Sequence, residues 1–174
     1  LSLIGQGVVA LSNRIGSAGR LKELLGGPVS FVRKEEGSFG CANFAACATA
    51  GFFGGGTVEF YNILFNGSDS FVRGTAVHEL AHIIDFNNVI GDAAAGWEFI
   101  MSFSDAFAEA SGFGPGDRSI STYGQSSSQE YWGESLPDWV YGPQYPSAHG
   151  RNTDRRVLDP LQVQWINRIL GIAR

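Results

Sequence analysis

The sequence predicts an α+β domain, with a small mixed sheet followed mostly by helices. Three observations carry that expectation. Strand-like segments lie early, at Val29 to Arg33 and Thr57 to Ile63, where β-branched and aromatic residues cluster. Helical periodicity dominates from Ser70 onward. The composition, 44% hydrophobic and 17% charged, belongs to a chain that buries a core. At 174 residues, with no internal repeat or linker, a single domain over residues 1–174 is expected.

Taken in order, Leu1, Ile4, Val8, Leu11 and Ile15 recur at helical spacing, although Gly5, Gly7 and Gly16 weaken that helix. Leu21 to Leu25 predicts a short helix stopped by Gly26-Gly27-Pro28. Residues 37–56 are rich in Gly and Ala and carry no assignable pattern. After the strand at Thr57, Asn66-Gly67-Ser68 reads as a turn and also as a glycosylation sequon. Ser70 to Phe86 reads as a helix capped by Asp69 or Ser70. Trp97 to Ala110 reads as another, broken by the glycines from Gly112. A third starts near Ser127, with Glu130 in capping-box spacing, and Pro137 is expected to end it. Tyr141 to Arg156 reads as a loop. Asp159-Pro160 then opens a last helix to about Leu170.

Charge and hydropathy exclude some functions. The net charge is −5 without basic blocks, a poor match for nucleic acid or an anionic membrane. No apolar run approaches the roughly 18 residues of a membrane span, so no membrane insertion is expected. Glycines number 24, above the usual share of about 7%, which predicts many turns. Leu1 in place of Met predicts a processed protein or an excised domain, so no signal peptide need be visible. Cys41 and Cys47 suit either a short disulfide loop in an oxidising compartment or two buried thiols. Oligomeric state has no signature.

The informative segment is His78-Glu79-Leu80-Ala81-His82, an H-E-x-x-H pattern inside the expected helix over 70–86. Residues four apart on a helix share a face, so both imidazoles can reach one zinc ion. Glu79 can take a proton from an activated water and pass it to a leaving amine. The bland alternative is a helix with two ordinary histidines. Against it, the chain has 3 histidines and two stand here, among the apolar Val77, Leu80, Ala81, Ile83 and Ile84. Buried polar groups in such a setting need partners, and a metal provides them. A third ligand is required. Asp85 follows on the same helix and is carried away along its axis, which suits a supporting carboxylate better than a ligand. His149, Glu98, Glu109, Glu130 and Glu134 are the other downstream candidates.

Tyr123, Glu130 and Glu134 lie in the stretch from Ser121 to Ser135 as a Tyr, a Glu seven positions on and a second Glu one turn later. Together with H-E-x-x-H and the Asp three residues after it, this pattern resembles the anthrax lethal factor family, which includes the secreted Pro-Pro endopeptidases. The likeness spans about Thr57 to Trp139. It implies a zincin-like metallopeptidase fold of gluzincin type and a zinc-dependent endopeptidase that acts on peptide or protein substrates. It implies one zinc held by His78, His82 and Glu130, with Glu79 as general base. Tyr123 would stabilise the oxyanion, and Glu134 and Asp85 would be supporting carboxylates. It also implies a secreted protein.

Here Gly133 stands where the family commonly has Ala, and the substrate-loop motif of the Pro-Pro enzymes is not recognisable. Glu130 and Glu134 share a helix face, where two carboxylates repel unless cations stand near. The plain alternatives are a capping-box role for Glu130 and a loop aromatic at Tyr123. Such zinc peptidases pair an extended peptide with an edge strand, and Thr57 to Asn62, after Gly54-Gly55-Gly56, is the candidate for it, or else an ordinary strand after a flexible loop. The rival functions are a non-catalytic zinc-containing binding domain of a larger secreted protein or toxin, a structural domain with packed histidines, and a zinc hydrolase acting on something other than peptides.

Overall fold

The computed structural model describes residues 2–36, 41, 45–90, 100–112, 121–142 and 157–172. The class is α+β, mainly helical with a small mixed sheet, as expected. Helices α1 (Leu3–Ile15) and α2 (Ala18–Leu24) precede strands β1 (Val29–Lys34), β2 (Ala46–Ala50) and β3 (Gly56–Tyr61). A 3₁₀ turn over Asn62–Asn66 leads into α3 (Asp69–Asn87). Short strands β4 (Val89–Ile90) and β5 (Met101–Ser102) pair antiparallel. Helices α4 (Phe103–Ser111), α5 (Ser128–Tyr141) and α6 (Pro160–Ile169) complete the described chain.

The main sheet has the order β1-β3-β2. β1 runs parallel to β3, and β2 runs antiparallel to it, with Ala48 opposite Val58. β3 is therefore the central strand, and its backbone is committed on both sides. The expectation that Thr57 to Asn62 forms an edge open to a peptide is overturned. The edges are β1 and β2, and β2, the one beside the site helix, lies in the stretch that carried no readable pattern. Its residues, Ala-Cys-Ala-Thr-Ala, have little of the bulk that marks a strand in sequence.

α3 is the centre of the molecule. Every residue from Gly74 to Asp85 is buried, which is the behaviour of a helix covered on all sides. One side, with Val72, Ala76 and Ile83, packs on Val58 and Phe60 of the sheet. The other side, with Val77, Leu80, Ala81 and Ile84, packs on Phe103, Phe107, Trp132 and Leu136. Gly7 explains itself here. A Cβ at that position would stand 2.6 Å from the Arg73 carbonyl oxygen, so its absence lets α1 lie close against α3.

Three boundaries differ from expectation. The cap of α3 is Ser68, whose Oγ accepts from the Phe71 N–H at 3.2 Å, so the helix starts at Asp69. The helix expected over Trp97 to Ala110 begins at Phe103, because Met101 and Ser102 pair as a strand and Ser102 caps the helix by accepting from the Asp105 N–H at 3.1 Å. Residues 97–99 lie outside the described residues. Pro137 does not end α5, which runs on to Tyr141. An internal proline costs about 3 kcal/mol. Unbroken burial from Tyr131 to Trp139 offsets that cost, holding the helix through tertiary packing. The last helix matches expectation, with Pro160 in its first turn and a reciprocal capping box between Asp159 and Gln162. Tyr131, Trp132 and Trp139 are core residues, and most of the expected loop from Tyr141 to Arg156 lies outside the described residues.

Candidate metal centre

Two helices build the site. α3 supplies His78, Glu79 and His82, all buried. α5 supplies Glu130 and Glu134, and is fixed against α3 by the Trp132 indole N–H, which donates to the Ala81 carbonyl at 3.0 Å. The Tyr131 hydroxyl, 2.9 Å from Ser111 Oγ and accepting from Gln162 Nε2 at 2.6 Å, ties the same helix to α4 and α6. Tyr123 comes from a 3₁₀ turn, Tyr123–Gln125, just before α5, and its ring centroid is 6.2 Å from that of His78.

His78 Nε2, His82 Nε2 and Glu130 Oε2 converge. The two nitrogens are 3.0 Å apart, and the carboxylate oxygen is 3.2 Å from the first and 3.6 Å from the second. A tetrahedron with ligands at about 2.0–2.1 Å from its centre has edges of about 3.3 Å. The three donors thus trace one face of such a tetrahedron. The three donors crowd at the spacing a shared cation would impose, and among the described residues the buried Glu130 Oε2 has no aligned hydrogen-bond donor. His78, His82 and Glu130 can hold a metal ion.

Electrostatics agrees with the geometry. Burial alone would depress His78, yet contacts with Glu130 and Glu134, and the nearby Glu79 charge, outweigh it and hold its pKa well above the usual range. Burial alone would raise Glu130, but His78 and His82 pull it far below the usual carboxylate range. The pair behaves as a cation facing an anion, and a metal would replace the proton in that role. Glu134 Oε1 stands 3.3 Å from His78 Nδ1. A carboxylate on Nδ1 leaves the Nε2 lone pair for the metal.

Glu79 is raised, chiefly by burial and also by Glu130, against the lowering influence of both histidines and of the Ala48 backbone N–H, which donates to it. Tyr123 is pushed well above its ordinary value by burial and by Glu130, so its hydroxyl stays a donor. Asp85 faces elsewhere. Its two oxygens accept from the Ser104 N–H at 2.7 Å and the Ser104 hydroxyl at 2.9 Å, tying the end of α3 to the start of α4. Glu109 is exposed on α4, and Glu98 and His149 lie outside the described residues.

Ser127 does cap α5, its Oγ accepting from the Glu130 N–H at 3.1 Å. The Glu130 carboxylate, however, turns to the histidines. Two contributors escaped the reading of the sequence. Gly133 is one: a Cβ there would stand 2.8 Å from His78 Cε1 and 3.0 Å from Nε2. The apparent departure is what lets α5 press on the imidazole. Phe86 is the other. It repeats the His78 and His82 spacing, and its ring centroid lies 6.1 Å from that of His82.

The site opens on a cleft. α3, with Gln129 and Glu130 of α5 against it, is its floor, residues 45–48 form one wall, and Tyr123 stands on the other side. The Tyr61 N–H donates to the Ala45 carbonyl at 3.0 Å, which fixes the phase of the ladder. Cys47 and Thr49 then turn their backbone groups to β3, and Ala46, Ala48 and Ala50 turn theirs away from it. Among the described residues no strand pairs with this outer edge, and from it the Ala48 N–H reaches Glu79. Cys47 lines the cleft and is disulfide-bonded to Cys41, which resolves the open alternative for the cysteines.

Family models, curated protein sequences and solved structures were compared with the chain, and none of them matches it.

Proposed function

We propose that the chain is a zinc-dependent metalloendopeptidase with a zincin-like fold. One observation carries the reading: a His₂Glu donor triangle of tetrahedral size lies beside a buried glutamate, at the floor of a cleft walled by a free strand edge. His₂Glu sets are typical of catalytic zinc, which uses three protein ligands and an open position. Zinc, when bound, supplies a Lewis acid that polarises a carbonyl and activates water near neutral pH.

The protein groups do the rest. Glu79 takes a proton from the attacking water as its oxygen bonds to the peptide carbonyl carbon. It then gives that proton to the amine as the C–N bond breaks. The raised pKa of Glu79 suits both halves of this transfer. The Tyr123 hydroxyl donates to the oxyanion of the tetrahedral intermediate. Glu134 holds the His78 tautomer. The outer edge of β2 pairs with an extended peptide and presents its carbonyl carbon to the water that Glu79 deprotonates. The Cys41–Cys47 disulfide supports a secreted protein. Among the described residues no helix is long and apolar enough to cross a membrane.

The test is cleavage of a mixed peptide library by the zinc-loaded protein. Cleavage that a chelator abolishes and added zinc restores supports the reading. One bound zinc with no cleavage of any peptide would leave a zinc-containing binding domain in its place.

A further inference from the structure

Phe52 and Phe53 are 95% and 92% exposed, with rings edge-to-face at 4.9 Å. Two adjacent phenylalanines left in water call for an explanation. They sit on the turn joining β2 to β3, and that turn is pinned. Gly51 donates to Gly55 at 3.0 Å, Gly55 to Leu25 at 2.9 Å, and the Asn87 amide to the Gly55 carbonyl at 2.8 Å. Gly54 and Gly55 adopt φ of 89° and 67°, a left-handed pair that few other residues would tolerate.

Topology puts this turn at one end of the cleft. A Cβ on Gly56 would meet Ile83, and Gly55 bonds Asn87, so the turn lies against the last turn of α3. Phe86, 46% exposed, lines the cleft at that same end. β2 leads from Ala48, beside Glu79, to Phe52 four residues later, roughly 13 Å along an extended chain. Away from the metal-centre residues, the cleft wall is uncharged, with Ala45, Ala46, Ala48, Thr75 and Gln129.

We propose that Phe52, Phe53 and Phe86 form an aromatic shelf that binds large apolar side chains of the peptide substrate, about three to four residues before the cleaved bond. The inference rests on the endopeptidase reading and adds the substrate class to it. A peptide antiparallel to β2, the more stable pairing, lays its N-terminal side on this end. Continuity of the shelf with the free edge of β2 favours a peptide over a lipid surface. The exposed rings cost solvation in the free protein and are covered when the substrate lies along the strand.

The experiment uses one peptide that the protein cleaves, extended at its N-terminus to carry either Phe-Phe or Ser-Ser three and four residues before the cleaved bond. The zinc-loaded wild type and the Phe52→Ser/Phe53→Ser double variant are compared. The wild type is expected to prefer the Phe-Phe form about tenfold in kcat/KM, mainly through KM, and the double variant to lose that preference. Equal kcat/KM for the two forms in the wild type, or a preference kept by the double variant, overturns the shelf while hydrolysis stands. Absence of cleavage by the wild type sinks hydrolysis itself. Peptide affinity by fluorescence anisotropy then judges the shelf alone, and equal affinities overturn it. Binding to phosphatidylcholine vesicles that is lost in the double variant, with no change in peptide preference, would assign the tip to lipid and overturn the proposal.

Discussion

The floor and the wall of the cleft are built on opposite principles. The floor is α3 with α5 pressed against it: buried, close-packed, and carrying its chemistry in side chains, His78, Glu79, His82, Glu130 and Glu134. The wall is β2, a strand of small residues whose contribution is the outward backbone of Ala46, Ala48 and Ala50. A site that must hold a metal to within tenths of an ångström is placed where packing fixes every rotamer. On the proposed reading a peptide would pair at this edge, where backbone groups read no side chain. The two pack together through Ala46 against Val72, Ala76 and Ile83, and the Ala48 N–H adds a polar contact to the Glu79 carboxylate.

Substitutions on the floor should break function most sharply. Glu79→Gln is expected to keep its metal and lose about 10²–10⁴-fold in turnover, read by peptide cleavage beside metal analysis. Undiminished cleavage would remove Glu79 from the chemistry. Glu134→Ala should weaken metal affinity about 10–100-fold by releasing the His78 ring, measured by competition with a chromogenic chelator. An unchanged affinity would make Glu134 a packing residue only.

Gly133→Ala sharpens the comparison, because alanine favours an isolated helix by about 1 kcal/mol. On this floor the added methyl meets His78, so we expect about tenfold weaker metal binding and a lower melting temperature. A gain in stability with metal affinity intact would show that the two helices have room to spare.

Asp85 gives the smallest effect. Asp85→Ala should cost about 1–3 kcal/mol by leaving the buried Ser104 N–H without its acceptor, read by denaturant melts. Burial holds Asp85 above its ordinary value of 3.8, so the folded state binds that proton more tightly than the unfolded chain. Its stabilising contribution is therefore full below that value and is lost as pH rises through the folded pKa. Asp85→Asn, which carries no such proton, should gain on the wild type as pH rises above the ordinary value of 3.8. The opposite trend would mean that Ser104 more than offsets the burial.

The same contrast explains what could be read in the sequence. The floor was legible because residue type and helical spacing encode it. His78 and His82 are one turn apart, and Glu130 and Glu134 repeat that interval on a second helix. The wall was not. Ala46 to Ala50 has three alanines and a single β-branched residue, Thr49, too little bulk to mark a strand, and which strands form the edges depends on the order β1-β3-β2, a long-range fact that no local pattern carries. Thr57 to Asn62 looked like the edge because it has the strongest strand propensity, and that propensity suits the buried central strand it is. Pro137 does not end the helix as expected, because helix propensity is a local rule, and α5 is held by what it touches. Phe86 was visible in principle, as the next step of the His78 and His82 spacing.

The central claim is that His78, His82 and Glu130 hold one metal ion together. The most direct measurement is metal content per chain by mass spectrometry, on protein purified without chelator or histidine tag, for the wild type and Glu130→Ala side by side. About one zinc per wild-type chain, reduced or lost in the variant, is the predicted result. A wild type that takes up no metal even when zinc is added back would contradict it.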